Sequence, residues 1–92
     1  MRSGQRIRAR FLDVKRLETP VGYPRVAIVV PKFGFTAVSR NKLKRRLREL
    51  TRQHVLPRAE SCDVLLRARR DAYEADFQRL REEISRVAEQ LS

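Results

Sequence analysis

Between Arg40 and Arg52 the chain carries seven cations, with Glu49 as the only acid. Guanidiniums make paired hydrogen bonds to phosphate oxygens and ammoniums add point charge, so the chemistry this run suits is gripping a polyanion. Arg40, Arg45 and Arg48 bring planar forks, Asn41 offers a donor and an acceptor, and Lys42, Lys44 and Arg52 extend the charge. Groups for bond-making chemistry are scarce. His54 is the only histidine and Cys62 the only cysteine, so zinc sites and Cys/His nucleophilic dyads lack their parts. Asp13, Asp63, Asp71 and Asp76 are scattered, and Gly4, Gly22 and Gly34 form no phosphate-cradling loop. The expectation is a binding protein without catalytic residues of its own and with no cofactor or metal held by the protein alone. His54 and Cys62 read as packing residues.

The elements that must position these cations follow from periodicity. Leu43, Leu47, Leu50 and His54 form a narrow apolar stripe at helical spacing, which predicts an amphipathic helix from about Ala37 to Val55, capped by Thr36. Before it, Arg6 to Leu17 predicts one strand with a cationic face, although its alternation slips at Phe11 and Leu12. Glu18 to Pro24 reads as a turn, and a hairpin is the economical connection. Val26 to Val30 is a β-branched run expected to be a core strand, ended by Pro31. After a loop around Pro57 to Ser61, Cys62 to Ala68 predicts another buried strand. Asp71 and Glu74 then suggest a capping-box start for a packing helix with apolar positions Tyr73, Phe77, Leu80, Ile84, Val87 and Leu91. The order is β-β-α-β-α in one α+β domain spanning 1–92, with helices against a small sheet.

Composition narrows the partner. Ninety-two residues with a formal charge of +11 make one small domain that repels itself and attracts anions. Met1 to Arg58 holds 16 basic and 3 acidic residues, Ala59 to Ser92 holds 6 and 8, so the first part is the nucleic-acid surface. A single cysteine suits a reducing cytoplasm, and the longest apolar run, of five residues, is far short of the ~20 needed to span a membrane. Charge alone leaves RNA, DNA, a membrane surface and calmodulin open, with RNA slightly ahead. No recognition-helix companion at helix-turn-helix spacing supports DNA.

The wording of the basic run is more specific than its charge. Val26 to Val30, Lys32, Gly34, Ala37, Val38, Arg40, Asn41, Lys44, Arg45, Leu47, Arg48 and Glu49 stand in the order and at the spacing of the bacterial ribonuclease P protein motif, which this chain resembles. Asp63, Val64, Ala68 and Arg69 resemble that family's later strand. The resemblance implies a sandwich with a left-handed strand-helix-strand crossover through the basic helix. It also implies binding of ribonuclease P RNA through Arg40, Asn41, Lys42, Lys44, Arg45, Arg48 and Arg52. A precursor tRNA leader is implied near Arg8, Arg10, Phe11, Lys32, Phe33, Arg67 and Arg69, although packing is the favoured role for Phe11 and stands level with base stacking for Phe33. In that family the RNA and its Mg²⁺ cut the phosphodiester while the protein positions substrate and screens charge.

Departures from the pattern carry expectations too. The family normally begins with a basic helix bearing aromatics, and this sequence starts almost directly at the first strand. Lys42 keeps charge at the third motif position but loses the fork. Phe33 stands at a usual basic position and Thr36 where lysine is common. These changes predict firm docking of the RNA subunit and weaker contact with leader. The runner-up reading is a general RNA-binding module of ribosomal-protein or assembly-factor type; a stand-alone ribonuclease lacks its carboxylates or base.

Overall fold

The computed structural model describes residues 4–18, 22–57 and 62–91. The middle of the turn expected at Glu18 to Pro24, and most of the loop expected at Pro57 to Ser61, lie outside those residues. The elements run β1 (Gly4–Arg8), β2 (Leu12–Glu18), β3 (Arg25–Val29), α1 (Ala37–His54), β4 (Cys62–Ala68), a 3-10 turn (Arg70–Tyr73) and α2 (Phe77–Leu91). One four-stranded sheet in the order β1-β2-β4-β3 carries the fold.

The single strand expected from Arg6 to Leu17 is two strands. The slipped alternation at Phe11 and Leu12 is the bend of a tight hairpin, in which Ala9 N–H donates to the Leu12 carbonyl at 2.9 Å. Arg8 then faces Asp13 and Ile7 faces Val14, antiparallel. A hairpin between the first strand and the Val26 run does not form, because β4 inserts between them. It pairs antiparallel with β2 and parallel with β3. The β3–α1–β4 segment is thus a crossover joining two parallel neighbours, and α1 is the piece of chain that spans it.

The position of β3 also corrects its expected burial. It is an edge strand, with Val26 and Ile28 half-buried, Ala27 and Val29 exposed, and only Val30, beyond its end, in the core. Ala27 and Val29 lie on the sheet face that no helix covers, where Leu65 of the central strand is equally exposed, and the edge position leaves the inward Val26 and Ile28 only half-buried. Cys62–Ala68 is a strand as expected but is buried on one face only, with Cys62, Val64, Leu66 and Ala68 inward and Leu65 and Arg67 on the open face.

Both helices lie on the inner face. Leu43, Leu47 and Leu50 of α1 join Leu80, Ile84, Val87 and Leu91 of α2 in one buried cluster with Leu12, Val14, Val64 and Leu66. Thr36 caps α1, its hydroxyl accepting from Ser39 N–H at 3.1 Å. The α2 start differs from expectation. Asp71 and Tyr73 belong to the 3-10 turn, and Asp76 is the residue that serves the helix, accepting from Arg79 N–H at 2.8 Å. An Asp three residues before a free N–H competes for the same capping role as Asp71, and the 3-10 turn between them decides which one meets a helix.

Candidate nucleic-acid interface

Because α1 buries Leu43, Leu47, Leu50 and Thr51, the opposite arc is outward. Asn41, Arg45, Arg48 and Arg52 recur there at i, i+4, i+7 and i+11, forming one exposed ridge. Lys42 is exposed on one flank, and Lys44 is half-buried on the flank nearer the sheet edge. Arg52 pairs with Glu49, the ridge's one acid, which also accepts from Gln53 at 2.7 Å. The Arg52 contact holds the Glu49 carboxyl below the usual carboxylate range. Among the described residues Arg45, Arg48 and Lys44 form no ion pair. Their charge is uncompensated and available to an anion.

Arg40 differs from its neighbours. Its Nε–H donates to the Val30 carbonyl at 2.8 Å, tying the first turn of α1 to the end of β3. That uses one edge of the guanidinium and leaves the terminal nitrogens to a phosphate, so Arg40 both anchors the helix and can extend the cationic surface.

The sheet face turned away from the helices is open and gathers a second set of cations. Register places Arg6, Lys15, Leu65 and Ala27 in one row and Arg8, Asp13, Arg67 and Val29 in the next. Asp13 stands between Arg8 and Arg67 and forms no salt bridge with either among the described residues. At the far margin Arg25 pairs with Asp63 at 2.7 Å, a bidentate contact that raises the Arg25 pKa. Leu17, Val29 and Leu65 leave apolar surface exposed between these charges. Cations interleaved with apolar side chains on an open sheet suit a single strand, whose phosphates and bases need both kinds of contact.

At the end of the sheet, Arg10 and Arg69 flank the β1–β2 bend. Arg69 donates to the Ala9 carbonyl at 3.0 Å, and Arg10 lies over the Phe11 ring at 5.5 Å. Phe11 itself is a core residue, only 6% exposed, so of its two readings packing holds and contact with a leader base is corrected: the bend turns it inward. The loop before α1 presents Lys32 and Phe33. Phe33 has φ of 50°, a left-handed conformation that costs a bulky residue roughly 1–2 kcal/mol. Three contacts hold it: Phe35 N–H on the Lys32 carbonyl at 2.8 Å, Arg70 on the Phe33 carbonyl at 3.0 Å, and an edge-on contact with Tyr73. Phe35 stacks on Tyr73 at 4.1 Å, and Arg70 covers Phe35.

The structure therefore gathers the expected RNA-binding residues on one helix, and distributes the expected leader residues over the sheet face, the bend and the loop. Sequence reasoning put Arg6 and Lys15 on the cationic face of the first strand without naming them as contacts; they share one row with Leu65, beside the row of Arg8. It missed Arg70, which braces the loop. Period-two spacing of Arg6 and Arg8 was the signal for those rows, hidden by reading one long strand. It also missed Glu83, an acid at a core position of α2, 2% exposed, whose carboxylate accepts Phe11 N–H at 3.0 and 3.1 Å. His54 is half-buried with Nε2 unpartnered, and Cys62 is buried. Among the described residues no three His, Cys, Asp or Glu side chains converge as a metal site, and no helix is long and apolar enough to cross a membrane.

Comparison with known proteins agrees with this geometry. The family model described as Ribonuclease P matches residues 1–92. The ribonuclease P protein component of Thermus aquaticus is 45% identical over 87 residues, covering 95% of this chain and 51% of that protein. The one from Kocuria rhizophila is 49% identical over 70 residues, covering 74% of this chain and 60% of that protein. The chain spans about half the length of the Thermus relatives it matches. The solved RNase P protein of Thermotoga maritima superposes with a TM-score of 0.84 at 26% identity, covering 97% of this chain and 87% of that one. That of Staphylococcus aureus gives 0.77 at 25%, covering 97% and 84%. With the motif on an exposed helix, the fold shared and residues 1–92 matched by the family model, the chain belongs to the ribonuclease P protein family.

Proposed function

We propose that this chain is a protein subunit of ribonuclease P that binds the catalytic RNA and assists removal of the 5′ leader from precursor tRNA. The observation that carries the reading is the ridge Asn41, Arg45, Arg48 and Arg52, exposed on a helix whose first turn is tied down by Arg40. A folded RNA presents phosphates in fixed positions, and a rigid row of guanidiniums meets them at small entropic cost. Family membership favours this RNA over a general RNA-binding role.

Leader contact falls to the other cations. Arg8, Arg67 and Lys15 on the open sheet would follow the backbone of a single strand, with Arg10 and Arg69 at one end. Lys32 and Phe33 would meet it at the loop, where Phe33 offers a ring to a base. Arg6 extends the same face. The protein lowers phosphate repulsion and holds substrate against the RNA, which is electrostatic work that needs no reacting group of its own. Mg²⁺ is expected with the RNA subunit, and no step is routed through a metal held by this chain. The reading also implies cytoplasmic work without membrane or DNA.

The test is cleavage of precursor tRNA by a bacterial ribonuclease P RNA at low Mg²⁺, with and without the protein. Stimulation is expected, because low Mg²⁺ leaves phosphate charge that a cationic helper can screen. Binding without stimulation would restrict the role to docking, and absence of binding would return the chain to the general RNA module. Cleavage by the protein with no RNA present would sink the proposal.

A further inference from the structure

Between α1 and the free edge of β3 lies a groove of about 450 Å³ that shares Arg48 and Arg52 with the ridge but opens behind it. Its floor is apolar: Val26 and Ile28 from β3 and Leu56 after α1. Lys44 and Arg48 stand on its rim, and Thr51 lies against its wall. The size falls within the ~300–1,000 Å³ range of small-molecule sites. Thr51 is 3% exposed and its hydroxyl has no hydrogen-bond partner. A helical threonine usually returns its hydroxyl to the carbonyl one turn back, and a buried hydroxyl left unpaired costs free energy that a ligand can recover.

We propose that this groove receives one base of a looped or single-stranded RNA, extruded from its stack. The base lies on Val26, Ile28 and Leu56, its polar edge meets the Thr51 hydroxyl, and the flanking phosphates meet Lys44 and Arg48. Apolar side chains commonly hold extruded bases in this way. Charge selects the occupant. The groove is lined by three cations, of which Arg52 is paired with Glu49 while Lys44 and Arg48 form no ion pair among the described residues, whereas a second copy pairing along β3 would bring another +11 against this one. The inference rests on the RNA-binding role above and adds to it a site for a single nucleotide, behind the phosphate-binding ridge.

The experiment is methyl and amide NMR of the full chain titrated with a mixed-sequence pentaribonucleotide at low salt, beside the low-Mg²⁺ cleavage assay. Val26, Ile28, Leu56 and Thr51 methyls are expected to shift in concert. Thr51→Val keeps the shape and removes only the hydroxyl; it should weaken binding about two- to tenfold, the range of one hydrogen bond, without lowering thermal stability. Silent methyls beside moving Asn41 and Arg45 signals would overturn the groove and leave the subunit role standing. Methyl shifts with unchanged affinity in Thr51→Val would overturn the assigned contact. Methyl signals that change on dilution before RNA is added would give the groove to a second copy. No shift anywhere together with no stimulation would take down both readings.

Discussion

The two helices of this fold do the same work on their inner faces and opposite work on their outer ones. Leu43, Leu47 and Leu50 of α1 and Leu80, Ile84 and Val87 of α2 enter one core. Outside, α1 presents an arc of cations with one acid, whereas α2 mixes Arg79, Arg81 and Arg86 with Glu82 and Glu89. Its remaining acid, Glu83, points inward to the hairpin bend. Packing tolerates either charge pattern, because apolar burial is indifferent to what the far side carries. Polyanion binding does not, so the sign and density of the outer arc separate an interface from a scaffold.

The equality of the inner faces is the first thing to break. Leu47→Ala and Leu80→Ala, both at fully buried positions, should each lower unfolding free energy by about 2–5 kcal/mol in denaturant titration. A much smaller loss at Leu80 than at Leu47 would mean α2 is not an equal partner in the core.

Glu83 sharpens the contrast at a smaller scale. Glu83→Ala should destabilise by about 1–3 kcal/mol, because Phe11 N–H loses its acceptor inside the protein. Burial pushes the Glu83 pKa up, only partly offset by the bend's N–H groups and Arg86. Between the ordinary carboxylate range and that raised value, the folded chain keeps a proton that the unfolded chain has released. Stability contributed by this group is therefore full below the ordinary carboxylate pKa and falls as pH rises through the interval. Glu83→Gln cannot titrate, and its stability should lose that part of the pH dependence. An identical pH profile for wild type and Glu83→Gln would show that the carboxyl is not perturbed.

Much of this contrast was legible in the sequence. The stripe of Leu43, Leu47 and Leu50, the Thr36 cap and the central strand Cys62–Ala68 obey local periodicity, and the basic arc follows from the stripe once the helix is drawn. What was hidden is non-local. No local signal tells Val26 to Val30 that β4 will pair on one side only, so an edge strand looked like a core strand. The slip at Phe11 and Leu12 was visible, but its meaning as a bend depends on Glu83, 72 residues away, accepting the Phe11 N–H. For the site, the ridge was readable because its residues share one helix. The open sheet face was not, because Asp13 and Arg67 meet only through register.

The smallest effects test the outer arcs themselves. Arg45→Ala removes a ridge cation that touches no acid, so stability should stay within about 0.5 kcal/mol of wild type. The dependence of RNA affinity on salt should become shallower by up to about one unit, as for one lost phosphate contact. Arg79→Ala on α2 should leave both quantities unchanged. Arg40→Ala should differ from either, because its Nε–H also holds the Val30 carbonyl: a loss of about 1 kcal/mol in stability should accompany the change in salt slope. Arg40→Lys restores charge without the fork, so it should recover the slope more fully than the stability. Recovery of both would mean that Arg40 acts through its charge alone, and that the tie between β3 and α1 is incidental to how the helix is held.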